Sequence, residues 1–549
     1  MKRLLLPFAL FIGFTNMLFS QQRMAIPSEK PKLIVEVIVS QMRYDYIHRY
    51  WDKFGEEGFK LLINDGTFCK NARFNYLLTQ SYPGIATIAT GANPMVHGII
   101  SNKWYNKSDG AQIDAVADEK MSTVGGSFFS GKYSPKQIIT STFGDELNLY
   151  DPLSKVVGIS LDAGSAILST GHNPTGSYWF DAEKGNWVSS SFFMSELPAW
   201  ADTFNTKKFA KLYAEREWSA SKPIDTYDEA DTNKVKVPEV KKKLKDKLKS
   251  MLDGVIQKKS PTLSYAPMFE SPYGNLLAKD FAIASIAGEN LGADEHTDLL
   301  TLTFSVNRNI GLKYGPQSIE VEDTYIKLDK ELAHFLKFLN QAIGRENVLV
   351  VLTSDQGIAS TPAYLEKSKI PGGYFDPNKA IALLGSYLRA IYGQGNWVVA
   401  YNEKQIYLNH RIIEDSNLKL ADVQQKIANF MLEFSGVANA ITASTLQSSN
   451  FTTGVFEKFQ NCYNPRRSGD VILNFEPGWV ESSGAVTSGN SAYSYDVHVP
   501  LIWYGWKVKR RSILSPVNMT DISPTLSTML GITWPNGATG NPIRELIEY

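Results

Sequence analysis

Residues with chemically useful side chains stand just past four apolar runs of the sequence, and they are Ser40, Asp162, Arg308 and Asp355. The runs are short and rich in β-branched residues, and each precedes a helical pattern: 33–39, 156–161, 299–304 and 348–353. If the runs are parallel strands, ligands bind beyond their carboxyl ends. The sequence therefore predicts that a hydroxyl, two carboxylates and a guanidinium lie at one edge of a sheet, where they could bind an ion or transfer protons.

The hydroxyl of Ser81 is a second feature with possible chemistry. Ser81 opens a helical pattern, and Pro83 suits the first turn of a helix. A serine there either caps the helix or acts as a nucleophile where helix N–H groups face an anion. The segment alone is a weak signal, but together with 39–43 before it and 97–104 after it the order and spacing become specific.

The elements that must position these residues are strands alternating with helices. This alternation predicts the α/β class, with a mostly parallel central sheet flanked by helices. One domain is expected over 31–549, with insertions at about 190–266 and 372–478. The lysine-rich stretch at 241–247 is interpreted as a solvated face rather than an anion-binding patch, because acidic residues surround it.

Composition limits the classes of partner. The chain has 56 basic and 56 acidic residues, so no overall field would attract nucleic acid or an anionic membrane. Residues 1–20 carry a basic start, an apolar run and a small residue, which together predict a cleaved signal peptide followed by a linker over 21–30. A retained membrane anchor is the alternative, although the run is short for a spanning helix. We expect a periplasmic or secreted protein with no transmembrane segment after cleavage.

The sequence contains only two cysteines, Cys69 and Cys462. Two cysteines do not make a disulfide-dense scaffold, but an exported compartment would allow them to pair.

The motifs, taken in order, resemble the phosphate-irrepressible (PafA-type) alkaline phosphatases, a branch of the superfamily that also contains nucleotide pyrophosphatases and sulfatases. The matching stretches run nearly end to end and include 160–168, 288–292, 321–325, 467–470, 495–500 and 520–526. This resemblance implies an alkaline-phosphatase-like core with inserted cap segments. It also implies a site with two zinc ions, held by aspartates and histidines, that generate a threonine alkoxide.

Most of the family's six zinc-ligand positions are substituted in this chain. Two keep a ligand and four do not: Asp355 and His498 are kept, whereas Ser40, Arg308, Leu312 and Gln356 stand at the others. Zinc needs three or four nitrogen, sulfur or carboxylate ligands. A guanidinium at position 308 would also place a fixed positive charge where a cation would sit. We therefore expect no metal cofactor.

The substrate-binding positions are altered as well. By the resemblance, Ser81 replaces the threonine nucleophile and Asn102 matches a phosphate-contacting asparagine, while Asp162 and Gly164 replace a lysine and an arginine. Without a metal or an evident base, the Ser81 hydroxyl is expected to be inactive.

Two expectations concern the charges and the histidine that remain. We predict that Arg308 or a nearby lysine pairs with Asp355 in place of zinc, and that Asp162 and Arg308 belong to an internal ion network. His498 is interpreted as a buried, hydrogen-bonded histidine at the end of a strand.

The preferred hypothesis is an exported, noncatalytic alkaline-phosphatase-like protein that binds a protein, glycan or small molecule, or serves in the cell envelope. The alternative is a phosphate- or sulfate-ester hydrolase with a remodelled one-zinc or metal-free site, in which Ser81 attacks and Asn102 holds an oxygen. An enzyme would lose activity on Ser81→Ala, whereas a binding protein would be indifferent to that change.

Overall fold

The structure is a computed structural model that describes residues 29–228, 264–482 and 484–548. The predicted signal peptide, residues 21–28 of the predicted linker and the lysine-rich stretch at 241–247 lie outside the described residues.

The described strands, in chain order, are β1 (Leu33–Val39), β2 (Thr67–Arg73), β3 (Lys103–Tyr105), β4 (Gln112–Asp114), β5 (Thr123–Val124), β6 (Val156–Ser160), β7 (Gly176–Asp181), β8 (Asn186–Ser190), β9 (Asp298–Phe304), β10 (Val348–Thr353), β11 (Gly373–Phe375), β12 (Val398–Asn402), β13 (Gln405–Leu408), β14 (Val437–Thr442), β15 (Val471–Phe475), β16 (Trp479–Glu481), β17 (His498–Gly505), β18 (Arg511–Ile513) and β19 (Val517–Asn518).

The described α-helices are α1 (Asp45–Arg49), α2 (Phe59–Asp65), α3 (Ser81–Thr90), α4 (Pro94–His97), α5 (Phe143–Tyr150), α6 (Ala163–Thr170), α7 (Ala199–Thr206), α8 (Phe209–Ala214), α9 (Tyr273–Glu289), α10 (Val306–Tyr314), α11 (Ile319–Ala342), α12 (Pro362–Lys367), α13 (Pro377–Tyr392), α14 (His410–Asp415), α15 (Leu420–Met431), α16 (Ala443–Ser448), α17 (Gly454–Cys462), α18 (Ser494–Val497), α19 (Ile522–Leu530) and α20 (Arg544–Ile547). Short 3₁₀ segments cover Trp51–Lys53, Ile224–Thr226, Ala266–Glu270, Arg345–Asn347 and Met519–Asp521.

The central sheet runs in the order β18-β2-β17-β10-β1-β9-β6-β7-β8-β5, with β19 beside β2. Strands β10, β1, β9, β6 and β7 are neighbours and all parallel. Antiparallel pairs occur only toward the two sides of the sheet, as in β17 with β10 and β8 with β7. The predicted class and the four predicted strands are confirmed, and the ends of those strands differ from the prediction by no more than one residue.

Helices cover both faces of this sheet, which explains the nearly continuous apolar character of the strands. Along β1, residues 33, 35, 37 and 39 face one apolar layer, whereas Ile34 and Ile38 face the other. Glu36 falls between Ile34 and Ile38 on the second face and is only 3% exposed. The centre of the sheet therefore carries one buried carboxyl group.

Part of the predicted second insertion forms a separate antiparallel sheet in the order β12-β13-β15-β14, with its own apolar core. The turn between β12 and β13 consists of Glu403 and Lys404, whose φ angles of 49° and 65° are both left-handed. Such angles suit the tight turn of a two-residue hairpin. This turn carries Glu403 to the cavity described below.

The two cysteines are both buried and free, so they do not form a disulfide. Burial raises the pKa of each thiol to about 12. Within the described ranges, no helix is both long enough and apolar enough to cross a membrane.

Candidate functional site

The hydroxyl of Ser81 lies at the first residue of α3, after Gln80 in an extended conformation. The helix approaches the segment after β10 so closely that a Cβ atom on Gly84 would lie 1.9 Å from the carbonyl oxygen of Asp355. Only a glycine permits this contact. The close approach brings Ser81 into one buried group with Ser40 and Asp355.

Asp355 is completely buried and is held by neutral donors. Its Oδ2 accepts a hydrogen bond from Ser40 Oγ at 2.6 Å, and its Oδ1 accepts one from the Gln41 N–H at 2.9 Å. Ser40 Oγ lies 3.3 Å from Ser81 Oγ, so the hydroxyls continue the chain. Burial raises the pKa of Asp355, while these hydrogen bonds and the charge of Arg308 oppose the rise.

The first N–H groups of α3 are occupied by side-chain oxygens. Asn102 Oδ1 accepts from the Tyr82 N–H at 3.0 Å, and the Asn102 N–H donates to Gln80 Oε1 at 2.8 Å. With its amide oxygen turned toward Ser81, Gln356 accepts from both the N–H and the Oγ of Ser81 at 3.2 Å and donates to the Thr79 carbonyl at 2.8 Å. These contacts fill the positions at which a helix N-terminus would otherwise hold an anion.

Tyr82 occupies the space beside the substituted substrate positions. Its hydroxyl donates to Asp162 Oδ1 at 2.8 Å, and a Cβ atom on Gly164 would lie 2.1 Å from the Tyr82 ring. Asp162 also caps α6 through Ser165, whose N–H and Oγ donate to Asp162 Oδ2 at 3.1 and 2.6 Å. No side chain could be placed at position 164 without moving the tyrosine.

The predicted ion pairs do not form, and this expectation was wrong. Within the described residues, no ion pair joins Arg308 to Asp355 or to Asp162. The physical reason is that neutral donors already satisfy both carboxylates: Ser40 and the Gln41 N–H serve Asp355, and Tyr82 and Ser165 serve Asp162.

Arg308 instead lines an open cavity of about 310 Å³. Leu312 lies one turn further along α10 and lines the same cavity. Asn102 and Gln356 also contribute to the lining, whereas Ser40, Ser81 and Asp355 do not. Four predicted site residues therefore line this cavity, and three, Ser40, Ser81 and Asp355, form a closed polar cluster. The others, Asp162, Gly164 and His498, belong to neither group.

Two glutamates complete the charged part of the cavity lining. Glu403 comes from the β12–β13 turn, and Glu481 ends β16. Burial, followed by the charge of Glu481, raises the pKa of Glu403 to about 7. Burial also raises the pKa of Glu481, whose Oε1 accepts a hydrogen bond from Tyr401 Oη at 2.6 Å.

His498 opens β17, and its ring stacks on Tyr44 with the centroids 4.1 Å apart. Its Nε2 donates to the Lys70 carbonyl at 2.9 Å, a bond that requires the proton on that nitrogen. Burial lowers the pKa of His498, which favours the neutral ring. The histidine is thus held by a backbone carbonyl and an aromatic ring, as expected for a hydrogen-bonded side chain, but it is half-buried rather than buried.

These residues do not fit a two-zinc site. Asp355 is the one carboxylate in the closed cluster, and both of its oxygens are already bonded. Across the described ranges, no three His, Cys, Asp or Glu side chains are grouped so that they could hold a metal ion. Arg308 adds a fixed positive charge nearby, which opposes a cation further.

The sheet order and the position of α3 define an alkaline-phosphatase-like α/β protein. Residues 34–492 match the family of type I phosphodiesterases and nucleotide pyrophosphatases. The chain belongs to this family of phosphodiesterases and alkaline-phosphatase-like proteins, as the sequence motifs indicated.

Two relatives with similar sequence identity to the chain, and one crystal structure, support this placement. The chain is 34% identical to alkaline phosphatase PafA of Elizabethkingia meningoseptica, over 97% of both proteins. It is 33% identical to alkaline phosphatase PhoV of Synechococcus elongatus, over 94% of this chain and 93% of that protein. The crystal structure of wild-type PafA superposes with a TM-score of 0.87 at 33% identity, covering 95% of this chain and 100% of the PafA chain.

Sequence reasoning missed Tyr82, Gln41, Glu403 and Glu481. Tyr82 follows Ser81 directly, so the motif contained it, but nothing in a sequence shows that its ring would rest on Gly164. The glutamates lie more than 300 residues from Ser81 along the chain, and no local spacing connects them to it. Only the folded insertion brings them to the cavity.

Proposed function

We propose that this protein is an exported, noncatalytic member of its family, and that it uses the inherited cleft to bind a ligand rather than to hydrolyse an ester. One observation carries the proposal: the Ser81 hydroxyl is completely buried and lies outside the lining of the cavity. A nucleophile must come within about 3 to 3.5 Å of the atom that it attacks. In this arrangement, Gln356 lies between Ser81 and any molecule in the cavity.

The electrostatics support the same proposal. Hydrolysis of a phosphate or sulfate ester needs positive charge where the substrate anion and the developing oxyanion lie. The cavity does contain Arg308, but two glutamates face it as well. Asp162 and Gly164 supply no cation at the substrate positions, and Tyr82 fills the space beside them.

Export rests on the N-terminal sequence, which has the regions of a signal peptide. The ligand of an exported binding protein would be a protein, a glycan or a small molecule of the periplasm or cell surface. An envelope role differs from this only in the identity of the partner.

The second candidate is an ester hydrolase, and one contact favours it. Asp355, Ser40 and Ser81 form a chain of hydrogen-bonding groups, so a carboxylate could take a proton from Ser81 through Ser40. The named relatives of the chain are alkaline phosphatases. This candidate requires Gln356 to move, because Ser81 must become accessible.

A combined metal and turnover experiment separates the two candidates. The mature protein is purified without chelator and equilibrated with zinc, and its metal content is measured by plasma mass spectrometry. Hydrolysis of p-nitrophenyl phosphate is measured for the parent, for Ser81→Ala and for the matched control Ser386→Ala, which alters an exposed helical serine. We expect no stoichiometric zinc and no turnover above buffer in any of the three proteins. Stoichiometric zinc with turnover that only Ser81→Ala abolishes would overturn the proposal.

A further inference from the structure

The 310 Å³ cavity combines ionisable groups of both signs in one small polar volume. Arg308 reaches it from α10, Glu403 from the β12–β13 turn and Glu481 from the end of β16. Within the described residues, the Arg308 guanidinium has no ion-pair partner within 4 Å. Three separate elements therefore present one cation and two carboxyl groups to the same space.

Two residues of this lining, Gln41 and Asn490, also carry buried amide oxygens that lack hydrogen-bond partners. Gln41 Oε1 and Asn490 Oδ1 accept no hydrogen bond from any described residue, although the residues are only 3% and 5% exposed. The other polar atom of the Asn490 amide is engaged, since Nδ2 donates to Glu403 Oε2 at 3.3 Å. A buried acceptor without a donor costs about 1 to 3 kcal/mol, but both oxygens are closed off from solvent, so a molecule in the cavity would reach them only after the side chains moved.

The carboxyl groups are also short of positive charge. Lys404, the cation of the same hairpin, donates to the Asn490 carbonyl at 2.5 Å and lies over the Phe475 ring. Its charge lowers the pKa of both glutamates, but burial has the larger effect. Burial lowers the pKa of Lys404 and raises the pKa of both glutamates, which means that each charge is incompletely compensated. A ligand with N–H donors and a positive charge would satisfy both glutamates.

The same features disfavour other ligands. A phosphate or sulfate dianion would meet Arg308 but also two carboxyl groups. A metal cation would meet a guanidinium that cannot lose its proton. A neutral sugar would leave charges of both signs uncompensated, which is unfavourable in a partly buried cavity.

We infer that this cavity binds a small zwitterion with an ammonium group and a carboxylate, such as a free amino acid or a short peptide. The ammonium lies against Glu403 and Glu481, and the carboxylate lies on Arg308. The cavity volume is at the lower end of the range for small-molecule sites. The inference rests on the proposed function, because it assigns a ligand to the cleft that a hydrolase would use for its substrate.

The first test uses the unmodified protein, so it does not depend on the folding of any variant. The twenty free L-amino acids and their homodipeptides are titrated into the full mature chain by calorimetry. Each compound that binds is compared with its N-acetyl derivative and its amide, which remove one charge each. We expect at least one zwitterion to bind, and both derivatives to bind at least tenfold more weakly. Binding by none of the zwitterions, or equal binding by a derivative, would overturn the inference.

Matched variants then locate the site. Arg308→Gln and Glu481→Gln should each weaken binding at least tenfold, and Arg308→Lys, which keeps the charge, should restore part of the affinity. The controls are Arg389→Gln on α13 and Glu119→Gln, which change the same residue types at exposed positions. Binding that survives both cavity substitutions would place the zwitterion elsewhere and refute the assignment.

The two proposals fail in different ways. Zinc-dependent turnover would refute the noncatalytic function whatever the calorimetry shows. A metal-free, inactive protein that ignores every zwitterion would refute only the ligand assigned here.

Discussion

Replacement of Glu36 by glutamine is expected to remove a large part of the protein's sensitivity to alkaline pH. Glu36 lies in the middle of β1, paired with Val351 on one side and Thr301 on the other. It is 3% exposed, and no described residue donates a hydrogen bond to its Oε1. Burial raises the pKa of this carboxyl group from 4.5 to about 8. The folded protein therefore favours the neutral acid, which glutamine imitates in size and shape.

The direction in which stability changes with pH follows from proton linkage. The unfolded chain releases the Glu36 proton near its ordinary pKa of 4.5, whereas the folded chain keeps it until about pH 8. Stability therefore falls as the pH rises from the lower to the higher value, and then levels off. The penalty is about 1.4 kcal/mol near pH 5.5 and about 4.6 kcal/mol near pH 8.5, at about 1.4 kcal/mol per pKa unit. Glutamine does not titrate, so its advantage should grow by about 3 kcal/mol between those conditions.

The assay is urea unfolding of the parent, Glu36→Gln and the control Glu119→Gln at the two pH values. The control removes a carboxyl group that is 82% exposed. Asp298, Glu403 and Asp496 also have raised pKa values, of about 6, 7 and 7, but they titrate in all three proteins and cancel in the comparison. An unfolding midpoint of Glu36→Gln that follows the parent at both pH values would refute the reasoning, because Glu36 would then be ionised at little cost or hydrated.

The remaining predictions concern the closed cluster and its neighbours. Asp355→Asn should be at least as stable as the parent near pH 8, because burial raises the pKa of this carboxyl group, and the gain in stability should shrink as the pH falls. A lower melting temperature of the variant near pH 8 would show that the ionised carboxylate stabilises the fold. Gly84→Ala should cost about 3 kcal/mol or more in chemical unfolding, because its Cβ would meet the Asp355 carbonyl oxygen, and an unchanged midpoint would mean that α3 can shift. Gly164→Ala should cost about 2 kcal/mol or more alone but much less in a Tyr82→Ala background, and additive losses in this double-mutant cycle would contradict the contact between the two residues.

The sequence predicted the fold well, because the strands depend on local patterns, whereas the assignment of the substituted positions stays a prediction. The runs that became β1, β6, β9 and β10 are apolar at nearly every position, as expected for strands covered on both faces. Their ends bring Ser40 and Asp355 together because β1 and β10 are parallel neighbours. The ion pairs could not be predicted in the same way, since the choice between a charged and a neutral partner depends on side-chain distances.

The cavity shows a second limit of sequence reasoning. Its glutamates belong to an insertion, and no local sequence pattern shows where that insertion lies relative to the main sheet. Glu403 also sits in a two-residue turn without glycine, asparagine or aspartate, so the usual signal for such a turn was missing. The orphan oxygen of Gln41 is equally invisible, because an unsatisfied acceptor is defined only by what surrounds it.

Ser40 and Asp355 depend on each other. Ser40 is a poor metal ligand, but it also donates a hydrogen bond to the buried Asp355 carboxyl group. A buried carboxylate without a cation would be costly, since the desolvation of one ion in a protein interior amounts to several kcal/mol. Asp355 offsets part of this cost because it accepts hydrogen bonds from Ser40 and the Gln41 N–H, which oppose the rise in its pKa caused by burial. An aspartate at position 40 would instead place a second carboxylate against the first, where like charges oppose ionisation. Because Arg308 makes no ion pair to Asp355, the present cluster is held by neutral hydrogen-bond donors, and single substitutions that restore a zinc ligand would act against it.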